Sequence, residues 1–577
     1  MSCQAIEAIE TAMAEADRYR RDSSGNEMDR AVTFSTLSNL YDDGLLFHST
    51  LGNVSGAFRA AELKKARSMF DLANLRQTSI YKGMASEVSA RLQQEEVSLG
   101  RKLASATRQL ETLPPDAPDF ERRRSVLEAE LTTLQEALVR HQREVRNASP
   151  AYRRMLWNEF RPVELMDLQK RLEDAGTILL EYVVTDTGTY LFVAGRSTPP
   201  QLLKLQLDAS QAKATGLQPG PLTGVALDKL LTVDREPLIR QLQHAGRSEP
   251  VTERLALLWE VLVPEDLRRE LQGDSYRRVL IVQDGPLSYL PFEVLVCQTG
   301  PEPRYVLDEV PPISYAPSAT WVAVTDPSSR GRAAERLRSV LTLGDAIYSA
   351  ERQSSSQPEP ARKATMAARM GASAGRLARL PHTSTESIWV EQVFKKEGMR
   401  VQKLIRNEAT EDRFRQVSKG RQIIHLACHG IVDQALGNQF GAVVLGSGPK
   451  SLVDPTDDGF LTLGEIYNFD LSGCELAILS ACETNFGPQQ RGEGVWALSR
   501  GFLVAGVRRV VASNWLVDDE AAASLISYFC AGVAQDEKKS GKPDYARALH
   551  DARKWVRQQE KWRSPYYWGT FVLIGPP

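Results

Sequence analysis

The chain has 577 residues, several times the length of one ordinary domain, so two or three folding units are expected, none short of a core. Hydrophobic residues make up 42% and charged residues 25%, and 71 Lys plus Arg stand against 73 Asp plus Glu, which excludes the charge excess that nucleic acid or an anionic membrane would need in an obligatory partner. No basic N-terminal patch leads into an apolar core, and no run of about 18 apolar residues occurs; a cytoplasmic protein without a membrane span is expected.

Residues 1–158 are rich in Ala, Leu, Glu, Arg and Gln and read as helices. Ile80, Met84, Val88, Leu92, Leu99, Leu103 and Leu110 recur at three-to-four spacing and predict one helical stripe, which Pro114-Pro115-Asp116-Ala117-Pro118 ends. Leu127, Leu131, Leu134, Leu138 and Val145 form a second stripe. Two long helices are therefore expected to pack antiparallel across the proline turn, as a structural hairpin or, on the sharper reading, as a partner-docking surface.

The pattern changes at Thr177. Residues 178–184 and 190–194 flank Thr185-Asp-Thr-Gly-Thr189 and predict a β-hairpin, and residues 278–282 predict a strand that runs into a turn at Gln283-Asp284-Gly285-Pro286. Residues 351–380 hold Ser354-Ser-Ser and the basic Arg352, Arg362, Lys363, Arg369, Arg376 and Arg379 but little apolar periodicity, and an exposed loop within the α/β part is expected. Four apolar runs, at 340–343, 423–428, 476–480 and 510–513, read as buried parallel strands, with helices over 385–394, 494–504 and 520–531. That alternation predicts a doubly wound, mostly parallel sheet with right-handed crossovers.

In open α/β sheets function gathers beyond the carboxyl ends of the strands. There the four runs deliver Gly344-Asp345, His429-Gly430, Ala481-Cys482-Glu483 and Asn514-Trp515-Leu516-Val517-Asp518-Asp519. A cysteine peptidase needs a thiolate, an imidazole to take and return the proton, and backbone N–H donors for the tetrahedral oxyanion. Cys482 and His429 supply the first two, and the N–H groups of Gly430 and Cys482 are the candidates for the third. The six cysteines, at 3, 297, 428, 474, 482 and 530, show no CxxC spacing and are expected to be thiols. Cys297, Cys428, Cys474 and Cys530 read as small buried hydrophobes, whereas Cys482 sits in the polar strand end Ser480-Ala481-Cys482-Glu483-Thr484. His425 points to the same side as His429 but lies inside its strand, where packing is the simpler role. With no third ligand evident, the pair is not read as a metal site, and no metal or other cofactor is expected.

These residues belong to an ordered series: Asp284-Gly-Pro-Leu-Ser-Tyr-Leu-Pro-Phe-Glu293, Tyr315-Ala-Pro-Ser-Ala-Thr320, Glu408-Ala-Thr-Glu411, His425-Leu-Ala-Cys-His-Gly430, Leu479-Ser-Ala-Cys-Glu-Thr484, Gly492-Glu-Gly494, Ser513-Asn-Trp-Leu-Val-Asp-Asp-Glu520 and Tyr566-Tyr-Trp-Gly-Thr-Phe571. From about residue 165 to 575 the chain thus resembles the CHAT family, caspase-like peptidases related to separase that often carry tetratricopeptide repeats upstream. The resemblance implies a caspase-like α/β fold with His429 and Cys482 as the catalytic pair, 53 residues apart by number, close to the ~50 noted for caspases. Glu483-Thr484 replaces the Arg/Gln-Gly that follows the caspase cysteine, so caspase specificity for Asp is not implied. Trp515-Leu-Val-Asp-Asp519 is similar to the separase segment whose acidic residue lines the pocket for a basic side chain, which makes Asp519, with Asp518 as the fallback, a candidate substrate-binding residue. The same aspartates suit the N-terminus of the helix that follows. Ala57-Phe-Arg-Ala-Ala-Glu-Leu-Lys-Lys-Ala-Arg67 resembles the last helix of a tetratricopeptide array, but only one or two repeats fit before it, and a stacked solenoid needs about three.

The expected organisation is a helical region at 1–158, with a degenerate repeat and the long hairpin, an α/β part at 159–335 and a caspase-like catalytic part at 336–577. The expected function is a cysteine endopeptidase that cuts a specific protein and is regulated by a partner or signal. The helical region would receive the activating partner, and self-cleavage in 351–380 would follow if Asp519 selects basic residues. The resemblance implies a pore-forming or regulatory protein as substrate and a role in bacterial stress, defence or regulated cell death. The competing expectation is a catalytically silent interaction module on the same fold. A nucleotide-binding protein is excluded for want of GxxxxGK[ST] or a Gly-rich loop after a strand.

Overall fold

The computed structural model describes residues 3–75, 79–111, 113–114, 117–156, 160–174, 176–195, 199–233, 237–243, 249–325, 338–348, 377, 379–446 and 457–576. Of the basic stretch at 351–380, only Leu377, Arg379 and Leu380 are among them, and the expected self-cleavage region otherwise lies outside the described residues.

Helices α1 (Cys3–Asp22), α2 (Glu27–Thr50), α3 (Val54–Lys64) and α4 (Arg67–Leu75) form an N-terminal layer. Asn26 opens α2 with a capping box: its side chain accepts from the Asp29 amide at 3.0 Å, and Asp29 accepts from the Asn26 amide at 2.9 Å. The hairpin follows as α5 (Ser86–Glu111) and α6 (Phe120–Ala148), antiparallel because Arg91 near the start of one meets Glu144 near the end of the other at 2.6 Å. Leu92, Leu110, Leu127, Leu131 and Val145 are buried along the seam, but Val88, in the first turn of α5, stands out into solvent.

The first strands are β1 (Thr177–Val184), β2 (Thr189–Ala194), β3 (Gln201–Leu207), β4 (Gly220–Pro221), β5 (Arg278–Val282), β6 (Val296–Gln298), β7 (Arg304–Tyr305) and β8 (Ile313–Ala316). Beyond them come β9 (Ser339–Ala346), β10 (Arg400–Arg406), β11 (Ile423–Ala427), β12 (His429–Ile431), β13 (Ala442–Val444), β14 (Phe460–Thr462), β15 (Leu476–Ser480), β16 (Gln489–Gln490), β17 (Gly494–Val495), β18 (Val510–Ser513) and β19 (Phe571–Ile574). Twelve of them make one sheet, in the order β10-β9-β11-β15-β18-β19-β8-β5-β1-β2-β3-β4. The four apolar runs read from the sequence are β9, β11, β15 and β18, neighbours and all parallel. They are buried along their whole length, as strands covered on both faces must be. The hairpin at 178–194 is present as β1 and β2, antiparallel. The fold is therefore the expected mostly parallel α/β sheet behind a helical region.

Three elements differ from expectation. The charged β10 extends the sheet beyond β9 and guards that edge with Arg400, Lys403 and Arg406. The C-terminal β19 pairs antiparallel with β18 and parallel with β8, so it joins the two halves of the sheet. The helix expected over 494–504 begins only at Leu498, because Gly494 and Val495 pair with Gln490 and Gln489 in a two-stranded ribbon.

The core runs through both halves of the sheet. A second apolar cluster lies between the N-terminal layer and the face of β1, β2 and β5, where Phe34, Tyr41 and Phe58 meet Leu179, Val183, Phe192 and Leu280. Phe58 and Phe192 pack edge to face at 5.6 Å. Full burial of each such ring stabilises by about 1.5–3 kcal/mol, so the layer is bound to the sheet by core packing.

Candidate active site

The register of β11 and β15 sets the site. The strands pair Leu426 with Leu479 and Ala427 with Ser480, and two residues beyond that last pair stand His429 on one strand and Cys482 on the other. β9 and β18 flank them, with Gly344-Asp345 near the end of β9 and Asn514-Trp515 just beyond β18. The chain turns sharply after Cys482, where Glu483 takes the left-handed conformation (φ 55). Hydrogen bonds to the end of β18 hold that turn. Asn485 N donates to Ser513 O at 2.8 Å, Ser513 N donates to Thr484 Oγ1 at 2.9 Å, and Asn485 Nδ2 donates to Asn514 Oδ1 at 2.8 Å.

Gly430 shows how closely the two strand ends approach. A Cβ placed there would lie 2.1 Å from the Cys482 carbonyl oxygen and 3.3 Å from its nitrogen. Only a residue without a side chain lets the backbone beside His429 lie against the backbone of Cys482. His429 opens the small side sheet of β12, β13 and β14, paired with Val444, and its ring packs against Tyr348 with centroids 5.0 Å apart. Tyr348 is buried, its hydroxyl is pushed well up by that burial, and it lies within reach of the His429 amide.

Cys482 is half-buried, whereas Cys428, Cys474 and Cys530 are buried. Cys297, expected to be buried, is half-buried on β6. Burial pushes the Cys482 thiol up to about 11; the Val517 amide opposes the rise, and the anionic Glu483 and Asp519 add to it. In this conformation the thiol is protonated at neutral pH.

The two aspartates separate. Asp518 caps the helix Asp519–Ser540 and accepts from the Ala521 amide at 2.9 Å. Asp519, half-buried in the first turn, bears on Cys482 and Tyr348; burial pushes its carboxyl up, His382 opposes that rise, and Glu386 and Asp518 reinforce it. His382 and Glu386 belong to the helix Pro381–Lys396. His425 is fully buried with both ring nitrogens engaged, Nδ1 to Thr342 Oγ1 and Nε2 to Glu386 Oε1, each at 2.8 Å. That is the packing role the sequence favoured, and it leaves no nitrogen for an ion shared with His429. One grouping among the described residues, Glu95, His141 and Glu144 on the hairpin, brings ligand atoms together. Arg91 already occupies the place of a cation there, 2.6 Å from Glu144 Oε1 and 3.4 Å from Glu95 Oε2. The sequence reading missed Tyr348 and Val517. An aromatic residue just beyond a strand end was the only signal for Tyr348, and Val517 acts through its backbone.

Fold and site define an α/β protein that presents a histidine and a cysteine at the carboxyl ends of adjacent parallel strands. Residues 252–576, more than half of the chain, match the CHAT domain, and the chain belongs to the CHAT domain family. A stretch of 121 residues, 21% of this chain, is 30% identical to human tetratricopeptide repeat protein 28 and spans 5% of that protein's length. Among solved structures, the Arg-specific cysteine proteinase gingipain R (RGPB) aligns over 59% of this chain and 73% of its own, at 12% identity and TM-score 0.36. The Saccharomyces cerevisiae separase–securin complex aligns over 99% of this chain and 40% of its own, at 11% identity and TM-score 0.40. Among the described residues no helix is long and apolar enough to cross a membrane.

Proposed function

We propose that this protein is a cysteine endopeptidase with a His429–Cys482 dyad that hydrolyses a peptide bond in a specific protein substrate. One observation carries the reading: the two residues stand side by side beyond the Ala427–Ser480 pair, with Gly430 packed on the Cys482 backbone. Cys482 Sγ attacks the scissile carbonyl carbon while His429 takes the thiol proton and passes it to the leaving amine, and water then hydrolyses the thioester. The N–H groups of Gly430 and Cys482 receive the oxyanion, a contribution worth about 2.7–4 kcal/mol per donor. A thiol-reactive peptide probe tests the reading: it labels the wild type and not Cys482→Ala or His429→Ala. Equal labelling of wild type and Cys482→Ala would sink it.

Asp519 is the specificity residue in this proposal, since it is half-buried and bears on the Cys482 thiol, whereas Asp518 is engaged in capping. A fluorogenic panel that shows no preference for Arg or Lys over Leu ends the acidic-pocket idea. Self-cleavage within 351–380 is tested by incubating wild type beside Cys482→Ala; the same intact band in both counts against it. New protein termini that appear in cells with wild type and not with Cys482→Ala identify the substrate. The competing reading is a silent interaction module on the same fold, and a wild type that the probe does not label at Cys482 would favour it.

A further inference from the structure

The motif Gly492-Glu493-Gly494 plays no part in the chemistry just described, yet its central carboxylate is buried. Glu493 accepts from the Ser68 amide at 3.0 and 3.1 Å, from Ser68 Oγ at 2.6 Å and from Arg500 Nη2 at 3.1 Å. Ser68 is on α4, 425 residues away in sequence. Beside it, the Ala66 amide donates to Gly492 O at 2.8 Å, and Arg491 Nη2 donates to Asp42 of α2 at 2.8 Å. Gly492 is itself in the left-handed region (φ 78), where a Cβ would come within 3.0 Å of Lys64 O.

The junction between α3 and α4 reaches the rest of the α/β part as well. Glu62 accepts from the amides of Ala319 and Thr320 at 3.2 and 2.6 Å, and Lys65 Nζ donates to Glu181 Oε1 at 2.7 Å. Residues 62–68 therefore act as a polar latch whose catalytic-side end is Glu493. From there the path to Cys482 is short. Arg500 Nη1 donates to Glu493 O at 2.7 Å from the helix Leu498–Val504. Its neighbour Ser499 donates through N to Thr484 O at 2.9 Å and through Oγ to Asn485 Oδ1 at 2.7 Å. Thr484 and Asn485 form the turn that sets Cys482.

We propose that Glu493 is a positioning residue: through Ser68 and Arg500 it ties the loop after Cys482 to the N-terminal helices, which makes that helical layer a working part of the active site. The inference rests on the peptidase reading for its catalytic half, while the tether stands on the hydrogen bonds alone. A buried carboxylate that accepts from two segments so far apart in sequence fixes their relative place, because leaving any of these donors unpaired is costly. A partner that shifts α1–α4 would thereby reach Cys482.

The test compares wild type, Glu493→Gln, Glu493→Asp and Ser68→Ala as full-length chains. Hydrogen exchange of residues 485–497 reads the tether without any chemistry at Cys482. The maximal rate and half-saturation of Cys482 labelling by a peptidyl acyloxymethyl ketone read positioning. Faster exchange in 485–497 is expected in Glu493→Gln, with unchanged protection of β11 and β15 as the check that the fold holds. Its maximal labelling rate is expected to fall ~10-fold or more, with half-saturation within about three-fold, as misplacement of a reacting group predicts. Ser68→Ala, the milder change, should move both readouts the same way, and Glu493→Asp should recover part of the rate. Unchanged exchange in Glu493→Gln and Ser68→Ala overturns the tether. Faster exchange with an unchanged maximal rate overturns the positioning role. Failure of wild type to label at Cys482 overturns the peptidase reading and the positioning role with it, and exchange then decides the tether by itself.

Discussion

Gly430→Ala tests the arrangement at its tightest point. The added Cβ would lie 2.1 Å from the Cys482 carbonyl oxygen, whereas carbon and oxygen in contact need about 3.3 Å, so the backbones beside His429 and Cys482 must part by about 1.2 Å. The obstacle is backbone, fixed by the pairing of β11 with β15, and no side chain can swing aside. Overpacking of this kind costs about 1–3 kcal/mol, which corresponds to a fall in Tm of about 2–4 °C per kcal/mol for domains of 150–250 residues. A misplacement near 1 Å costs catalysis ~10²-fold, or about 2.7 kcal/mol in the barrier. Thermal melts should therefore show a modest loss for Gly430→Ala while peptide-probe labelling of Cys482 falls ~10²-fold. Gly273→Ala, where the nearest atom to the new Cβ is 3.5 Å away, is the control and should change neither. Wild-type labelling and Tm in Gly430→Ala would refute the reasoning, because the two strand ends would then not approach as described.

The thiol gives a pH prediction. A folded-state value near 11 leaves only ~10⁻⁴ of Cys482 as thiolate at pH 7, so its alkylation by iodoacetamide should rise about tenfold per unit through pH 7–9, and a plateau at pH 7 would show a thiolate already formed. Asp519→Asn removes one of the anions that disfavour the thiolate. The thiol value should fall and alkylation at pH 8 rise by ~2- to 5-fold; a slower reaction would contradict the assigned sign. The buried pair of Lys65 and Glu181 anchors the latch to β1. Burial pushes the Glu181 carboxyl well up and Lys65 opposes that rise, so in Lys65→Met the carboxyl takes up a proton and the loss by urea denaturation should be about 1–3 kcal/mol, that of a buried group left without its partner; adding Glu181→Gln should cost little more, and additive losses would mean that the pair is not coupled.

The sequence carried the central strands because β9, β11, β15 and β18 are buried on both faces and spell unbroken apolar runs, and it carried His429 and Cys482 because polar residues interrupt those runs at their ends. The helix after β18 was legible for the same local reason: Asp518 is a good capping residue, and it caps. β10 was hidden because Arg400, Gln402, Lys403 and Arg406 break its seven residues into apolar pieces of one and two without a period, and β19 because its four residues gain meaning only between β18 and β8. The latch was invisible for a different reason. Glu493 and Ser68 carry no periodic or spacing signal, and a hydrogen bond between residues 425 apart in sequence exists only once the helical layer has packed on the sheet.

The glycines sharpen the distinction between what a motif shows and what it means. From the sequence Gly430 reads as a candidate N–H donor to an oxyanion, and Gly492 as part of a motif that resembles the family's. Both also sit where a backbone carbonyl, that of Cys482 or of Lys64, comes too close for a side chain. At Gly492 no chemistry is needed, because the requirement is fully met by the junction of α3 and α4. Gly492-Glu493-Gly494 thus records how the loop after Cys482 is held, and in this chain part of that support comes from residues outside 252–576.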